Sequence, residues 1–195
     1  MWHARTITSP LRSPLPIGLL LIGLVAASCS GSSSRENRGS SSGTHMCTLS
    51  QLHLSLGPDI SAATGQNPSA IRLTNRGHSC SLYGYPRIQL TDASAKLIPF
   101  RVADSGDQTV TSKPPAQVRV PSRGDAWVVL NKYRCDLGDR RQVRTLRVAL
   151  PGGSGTATLS FPGHHDWSYC GAGDPGSTIH VSPFEAALVA ALTHT

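Results

Sequence analysis

The sequence lacks several features by which common protein classes are recognised. It has no C-x-x-C pair, so a zinc site built from closely spaced cysteines is not expected. It has no G-x-S-x-G turn of the serine hydrolases, and its Gly-Gly-Ser-Gly run at 152–155 falls in a predicted hairpin turn. A basic and aromatic module for nucleic-acid recognition is also missing. We therefore expect no enzymatic activity, no cofactor and no nucleic-acid partner.

Long apolar runs are missing as well. The longest, residues 16–28, is shorter than the ~20 residues that a membrane-spanning helix needs. It follows a segment that carries Arg5 and Arg12 but no acidic residue, which is the order of a signal peptide. The run closes with small residues directly before Cys29, and this ending resembles a bacterial lipobox. Residues 1–28 are therefore predicted to be a lipoprotein signal peptide and Cys29 the lipidated first residue of the mature chain.

A second interpretation of this segment stays open. Ala26 and Ser28 also fit an A-x-A-like site for ordinary signal cleavage, which would release a soluble secreted domain without lipid. The Ser- and Gly-rich stretch after Cys29 favours anchoring, because a tethered domain needs a spacer. Residues 29–45 are thus predicted to be the lipidated cysteine and a linker with a span of roughly 20–25 Å. The expected location is the extracytoplasmic face of the cell membrane.

Residues 46–195 are of a size for one domain with its own core. Loss of the signal peptide lowers the formal net charge from +7 to +5, and a mildly basic envelope protein can associate with anionic lipid or wall polymers. Besides Cys29, this chain holds four cysteines, which in an oxidising compartment predict two disulfides with three conceivable pairings. We favour Cys47 with Cys80 and Cys135 with Cys170, because each pair closes a local loop.

The middle of the chain has the pattern of short strands. Residues 52–56 alternate apolar and polar side chains, as a half-buried strand does. Segments 87–91 and 96–100 flank a hairpin-like spacer, and 146–150 is expected to pair with 157–161. Further strands are expected around residues 70–75, 79–83, 117–120, 126–130 and 179–181. Such a succession predicts an all-β fold, an immunoglobulin-like antiparallel β-sandwich, although its order of cysteines and Trp127 is not that of antibody domains.

Two segments depart from the strand pattern. Residues 101–116 have almost no apolar periodicity and are expected to form a mobile loop. Near the C-terminus, Ser182, Pro183 and Glu185 resemble the start of a capped helix, and Phe184 begins an apolar repeat at helical spacing. A short amphipathic helix is expected to close one end of the sandwich.

Two groups of side chains could carry chemistry. His164, His165 and Asp166 are potential zinc or copper ligands or part of a hydrolase site, but we favour a polar loop without a metal, because neighbouring strand residues point to opposite faces. Six basic residues could bind phosphate groups of lipids or wall polymers, or form a solvated loop with local ion pairs. They are Lys132, Arg134, Arg140, Arg141, Arg144 and Arg147.

One stretch resembles a known family. Thr74-Asn75 and the Cys-x-Leu-x-Gly-Tyr-Pro run at 80–86, together with the positions of the four cysteines, resemble an actinobacterial secreted and lipoprotein family catalogued as domain-of-unknown-function family 4232. The resemblance implies an extracytoplasmic, disulfide-bonded, all-β domain, often lipid-anchored, with no established activity. In its motif, Tyr83 and Tyr85 beside Gly84 are expected to fill the core. We expect a binding or interaction module of the cell envelope, with envelope proteins or anionic polymers as partners.

Overall fold

A computed structural model of the protein describes residues 45–61, 63–136, 138, 141–161 and 167–193. All of them belong to one compact unit. The predicted signal peptide, Cys29 and the linker up to residue 44 lie outside the described residues. Within the described part of the chain, no helix is both long and apolar enough to cross a bilayer.

The described residues form short strands and three single 3₁₀ turns, at Leu49–Gln51, Pro175–Ser177 and Leu188–Ala191. The strands are β1 (Leu52–Leu56), β2 (Gln66–Asn75), β3 (Cys80–Leu82), β4 (Arg87–Thr91), β5 (Leu97–Ile98), β6 (Arg101–Ala103), β7 (Val118–Val120), β8 (Asp125–Tyr133), β9 (Arg141–Gln142), β10 (Thr145–Ala149), β11 (Ala157–Ser160), β12 (Ser168–Tyr169) and β13 (Thr178–Val181).

Two larger sheets dominate the architecture. One has five strands in the order β1-β2-β8-β13-β6, and the other has four in the order β11-β10-β4-β5. The pairs β3-β7 and β9-β12 form two small sheets. The long β2-β8 ladder runs antiparallel from Gln66 opposite Tyr133 to Thr74 opposite Asp125. The predicted hairpins β4-β5 and β10-β11 are both present.

The core lies between the two larger sheets. Side chains along a strand point to opposite faces of its sheet in turn. Alternate residues of β2 and β8 therefore point into the core, where they meet alternate residues of β4 and β10. These facing residues are Ile71, Leu73, Val128, Leu130, Ile88, Leu90, Leu146 and Val148. The fold is therefore all-β and sandwich-like, as the alternating pattern predicts.

The segment 101–116 is not the open loop expected from the sequence. Arg101–Ala103 forms β6 and pairs in parallel with β13. Further on, Val110 is fully buried, and the Thr111 N–H donates to the carbonyl oxygen of Ala191 (3.0 Å). The partners of this segment are distant in sequence, so no local periodicity reveals the pairing.

The predicted C-terminal helix does not form, and only the 3₁₀ turn at Leu188–Ala191 is helical. The Ser182 hydroxyl accepts from the Val129 N–H (2.9 Å) and donates to the Pro183 carbonyl (2.9 Å) instead of capping a helix. Glu185 exchanges both of its backbone hydrogen bonds with Trp127, at 2.8 and 2.9 Å. Tertiary partners thus hold this segment extended against β8, and this competition outweighs its helical pattern.

Candidate functional site

Two disulfides hold the domain. Cys47 is joined to Cys80 and Cys135 to Cys170, with Cα–Cα distances of 5.0 and 5.1 Å. This is the pairing that the loop lengths favoured. The first bond lies beside β7, which leads into the start of β8, and the second follows the end of β8. Each therefore secures a different end of the long central strand.

The structure distributes the predicted anion-binding residues over separate elements. Lys132 is fully buried, and its ammonium group donates to the Tyr133 carbonyl oxygen (2.7 Å), so it is no surface contact for phosphate. Arg134 is exposed and lies with its guanidinium 6.0 Å from the ring centre of Tyr133. Lys132 and Arg134 stand at the end of the five-stranded sheet, while Arg147 lies on β10 of the other sheet.

Arg141 is engaged in an ion pair rather than available for a ligand. Its guanidinium lies 2.9 Å from a carboxylate oxygen of Asp92 and also donates to the Leu97 carbonyl (3.0 Å). The hydrogen bond from Arg141 holds the pKa of Asp92 below its usual value. Arg144 is exposed and Arg147 half-buried. Arg140 lies outside the described residues, and the others do not converge on one site.

The possible metal ligands His164, His165 and Asp166 lie outside the described residues. Within the described ranges, no group of three His, Cys, Asp or Glu side chains is placed to hold a metal ion. Of the described histidines, His180 has its Nδ1 at 3.1 Å from the Ser105 carbonyl oxygen.

A buried asparagine organises one end of the domain. Asn75 is fully buried at the end of β2, and its amide nitrogen donates to the carbonyls of His78, Val120 and Pro121 at 2.8 to 3.1 Å. Its amide oxygen accepts from the Gly77 N–H (2.9 Å). One side chain thus joins the turn after β2 to the turn after β7. This explains physically why a short Thr-Asn motif marks the end of β2.

Three exposed arginines lie in the segments that Asn75 joins, and a fourth lies at the start of β4. Arg76 and Arg123 belong to the two turns that Asn75 joins, and Arg119 on β7 donates to the Ser79 hydroxyl (3.3 Å). Arg87 at the start of β4 donates to the Gly153 carbonyl (3.2 Å). We call Arg76, Arg87, Arg119 and Arg123 the basic end. The sequence contains no acidic residue from 60 to 91 or from 108 to 124, the two segments that supply these arginines.

A shallow groove of about 220 Å³ adjoins the basic end. Met46 and Tyr83 line it together with the turn that contains Gly153, the acceptor of Arg87. Met46 is 53% exposed and Tyr83 55% exposed, so Tyr83 does not fill the core as its motif suggested. Tyr85 is half-buried, and burial raises the pKa of its hydroxyl. The groove joins apolar surface to positive charge.

A cleft of about 300 Å³ follows the open edge of β2. The strand β1 pairs only with Ile71–Asn75, so the first half of β2 has β8 on one side and the cleft on the other. Pro68 lies in this half, where its missing N–H suits an unpaired edge. A side chain at Gly57 would place its Cβ 2.7 Å from the Ala70 Cβ, so glycine is required where the chain turns away from the edge.

Polar and apolar groups share the walls of this cleft. Asp59, Gln66 and Ser69 are polar, while Ile60 and the buried ring of Trp167 are apolar. None of the described residues that line it is basic. The cleft therefore suits an uncharged or cationic polar ligand and is poorly suited to phosphate.

Sequence reasoning identified neither of these surfaces. The basic end and the cleft each combine segments far apart in the chain, whereas the predicted anion-binding residues lie in one contiguous stretch, 132–147. The one signal that could have revealed the basic end is the absence of acidic residues from two long segments.

Comparison with known proteins gives one match. A family model described as a domain of unknown function (DUF4232) matches residues 47–185, which includes both disulfides, the Asn75 hub, the basic end and the cleft. No curated protein and no solved structure matches the chain.

Proposed function

The chain belongs to the DUF4232 family of domains of unknown function, and we propose from its own residues that it is a lipid-anchored, extracytoplasmic binding module of the cell envelope. The observation that carries the binding function is the cleft beside β2. Its volume of about 300 Å³ falls at the lower end of the range for small-molecule sites.

The two disulfides support the extracytoplasmic location. Disulfides persist in oxidising compartments and are rare in the reducing cytoplasm. Both bonds here close loops between segments more than thirty residues apart, at sequence separations of 33 and 35. Their contribution to stability would be lost under reducing conditions.

The lipid anchor is supported by the N-terminal sequence. Small residues precede Cys29, and a Ser- and Gly-rich linker separates it from the first disulfide cysteine, Cys47. A diacylglycerol group with an added N-acyl chain would hold the protein on the membrane firmly, whereas a single chain binds only reversibly.

The anchor is tested by fractionating cells that express the chain or its Cys29→Ala variant. We expect the unchanged protein in the membrane fraction, with a mature N-terminal peptide whose mass includes the lipid, and the variant in the soluble or secreted fraction. A mature N-terminus without added mass, with the protein in the medium, would instead establish the secreted soluble form.

The cleft is tested by site-specific photo-crosslinking in intact cells. A photoreactive amino acid at the exposed position Asp59 should give a defined adduct. The matched control is the same amino acid at Thr158, exposed on β11 outside the cleft. Equal adducts from both positions, or none from position 59, would rule out the cleft as the binding site.

We propose further that the sandwich-like arrangement of the two larger sheets is immunoglobulin-like. The interleaved order β1-β2-β8-β13-β6 beside β11-β10-β4-β5, with strands leaving one sheet for the other, supports this proposal. A crystal structure would test it, because aligned packing of this kind places the strand directions of the two sheets about 30° apart.

A further inference from the structure

We infer that the basic end is the surface by which the domain lies on an anionic lipid bilayer. The inference rests on the proposed lipid anchor at one point only, where the linker is used to decide which end of the domain faces the membrane. The attraction itself depends on the arginines and the adjoining apolar groove, and not on the anchor.

The arginines of the basic end are separated from acidic side chains. Arg76, Arg87, Arg119 and Arg123 are all exposed, and the segments that carry them contain no acidic residue. Asn75 holds three of them close together, because it joins the turns of Arg76 and Arg123 and bonds to the carbonyl of Val120, the neighbour of Arg119. Fixed positive charges without neighbouring carboxylates create a strong local field for anions.

The acidic residues that border this surface are already engaged. Asp125 accepts from the Thr74 hydroxyl (2.6 Å) and lies 3.5 Å from the guanidinium of Arg72. The carboxylate of Glu185 is half-buried, which raises its pKa and favours the uncharged form, while Lys113 has a smaller opposite effect. The field of the four arginines is therefore not cancelled at its edge.

Two further acidic residues lie well away from this border. Asp136 and Asp174 lie together near the end of β8 that is remote from the basic end, joined by the Asp136 N–H and the Asp174 carboxylate (3.3 Å). The nine residues of β8 separate the two ends by about 30 Å.

Exposed apolar surface lies beside the arginines of the basic end. Met46 and Tyr83 are both more than half exposed, and they line the groove beside Arg87. Tyrosine favours the boundary between lipid headgroups and acyl chains, where its ring and its hydroxyl meet different surroundings. Guanidinium groups form paired hydrogen bonds with phosphate. Together they match the chemistry of an anionic headgroup layer.

The linker joins the domain beside β3. The His45 carbonyl accepts from the Ser81 N–H (2.8 Å), and Met46 bridges to Ser81 on β3, so the preceding chain joins the domain at the basic end. A linker with a span of roughly 20–25 Å is shorter than the long axis of β8, about 30 Å. A lipid on Cys29 would thus keep this end, on average, closer to the membrane than the opposite end.

The test uses the mature chain from residue 29 with Cys29→Ala, so that neither an acyl group nor the apolar signal segment contributes, and sedimentation with vesicles. We expect binding to vesicles that contain phosphatidylglycerol, weakening as salt increases, and little binding to pure phosphatidylcholine. Each exposed arginine near an anionic surface contributes roughly fivefold to the partition coefficient. Arg119→Glu with Arg123→Glu should therefore reduce binding at least about 25-fold.

The matched control is Arg101→Glu with Arg134→Glu. Both residues are exposed, both lie toward the other end of the five-stranded sheet, and the net charge is the same as in the first double variant. We expect this control to bind within a few-fold of the parent. An equal loss in both double variants would show that only total charge matters and would overturn the inference.

Three further results decide between the alternatives. The variant Met46→Ser with Tyr83→Ser should bind phosphatidylglycerol vesicles more weakly than the parent, with an unchanged salt dependence. This result would support insertion of the groove residues into the bilayer. No binding to these vesicles at low salt would overturn the inference. Retention on a soluble polyphosphate without vesicle binding would also overturn it, and would assign the surface to wall polymers.

These results are independent of the anchor. Vesicle binding by the Cys29→Ala chain would stand even if fractionation showed that the cysteine is not acylated. Arg119→Gln with Arg123→Gln keeps the test valid if the glutamate variants fold poorly.

Discussion

The amide nitrogen of Asn75 lies 3.1 Å from the carbonyl oxygen of Val120, at the point where the chain leaves β7. Neither group is accessible to water, because both residues are fully buried. The same side chain also serves the carbonyls of His78 and Pro121, so one residue holds two turns that are more than forty residues apart.

Replacing Asn75 with leucine should therefore destabilise the domain strongly. The Val120 carbonyl would lose its donor while staying buried, and a buried unsatisfied group costs about 1–3 kcal/mol. The partly buried carbonyls of His78 and Pro121 would lose a donor as well, at a smaller cost because water can reach them. We expect a loss of about 2–4 kcal/mol in the free energy of unfolding, measured by urea denaturation. Thr158→Ala on the exposed face of β11 is the control. A change in Asn75→Leu no larger than in this control would contradict the role of the hub.

Removal of the first disulfide should also be costly. The chain-entropy model assigns about 3–4 kcal/mol to a closed loop of the length between Cys47 and Cys80. The double variant Cys47→Ala with Cys80→Ala should unfold at a correspondingly lower urea concentration. It should also loosen the N-terminal segment, since His45 and Cys47 exchange backbone hydrogen bonds with Ser81 beside this disulfide. Hydrogen exchange that stays slow at the amides of residues 47 and 81 would contradict this second effect.

Glu185 should make stability depend on pH. Burial raises the pKa of this carboxyl above the value of 4.5 expected in the unfolded chain, against a smaller opposite effect of Lys113. The folded state therefore favours the protonated form, so this contribution is fully present below 4.5 and is lost as the pH rises through the folded pKa. Glu185→Gln should raise Tm at neutral pH and change it little below 4.5. An equal shift at both pH values would disagree with burial as the cause.

Asp92 should show the opposite behaviour. The hydrogen bond from Arg141 lowers the pKa of Asp92 below 3.8, so the stabilising contribution is present above that value and is lost as the pH falls through the folded pKa. Arg141→Gln should move the midpoint of the Asp92 carboxyl titration upward, as followed by NMR. Arg144→Gln, an exposed arginine of the same segment, should leave the midpoint in place. An unchanged midpoint in Arg141→Gln would show that the pair does not form in solution.

Local patterns were sufficient for most of the strands. The alternation of Leu52, Leu54 and Leu56 sets the two faces of β1, and the turn residues after Thr91 and Ala149 produce the predicted hairpins. The cysteine pairing was accessible for a similar reason, since short loops are the easiest to close. These features depend on neighbours in the chain, so the sequence pattern contains them.

Long-range pairing was not accessible in this way. The residues from Ser182 to Glu185 have a helix-like pattern, yet hydrogen bonds to Val129 and Trp127 keep them extended. The strand β6 lies in a segment without apolar periodicity. Its parallel partner β13 is more than seventy residues away, so the local sequence does not reveal the pairing. In each case a tertiary partner, absent from the local sequence, determines the backbone.

By itself, the sequence determined the all-β class, the positions of most strands and a disulfide scheme, because strand periodicity and short-loop closure are local properties. Only the tertiary structure decided that Lys132 is buried while Arg76, Arg87, Arg119 and Arg123 share one surface. The physical reason is that the exposure of a charged side chain, and its distance from other charges, depend on which strands pair and which turns Asn75 joins. Both of these relationships connect residues far apart in the chain.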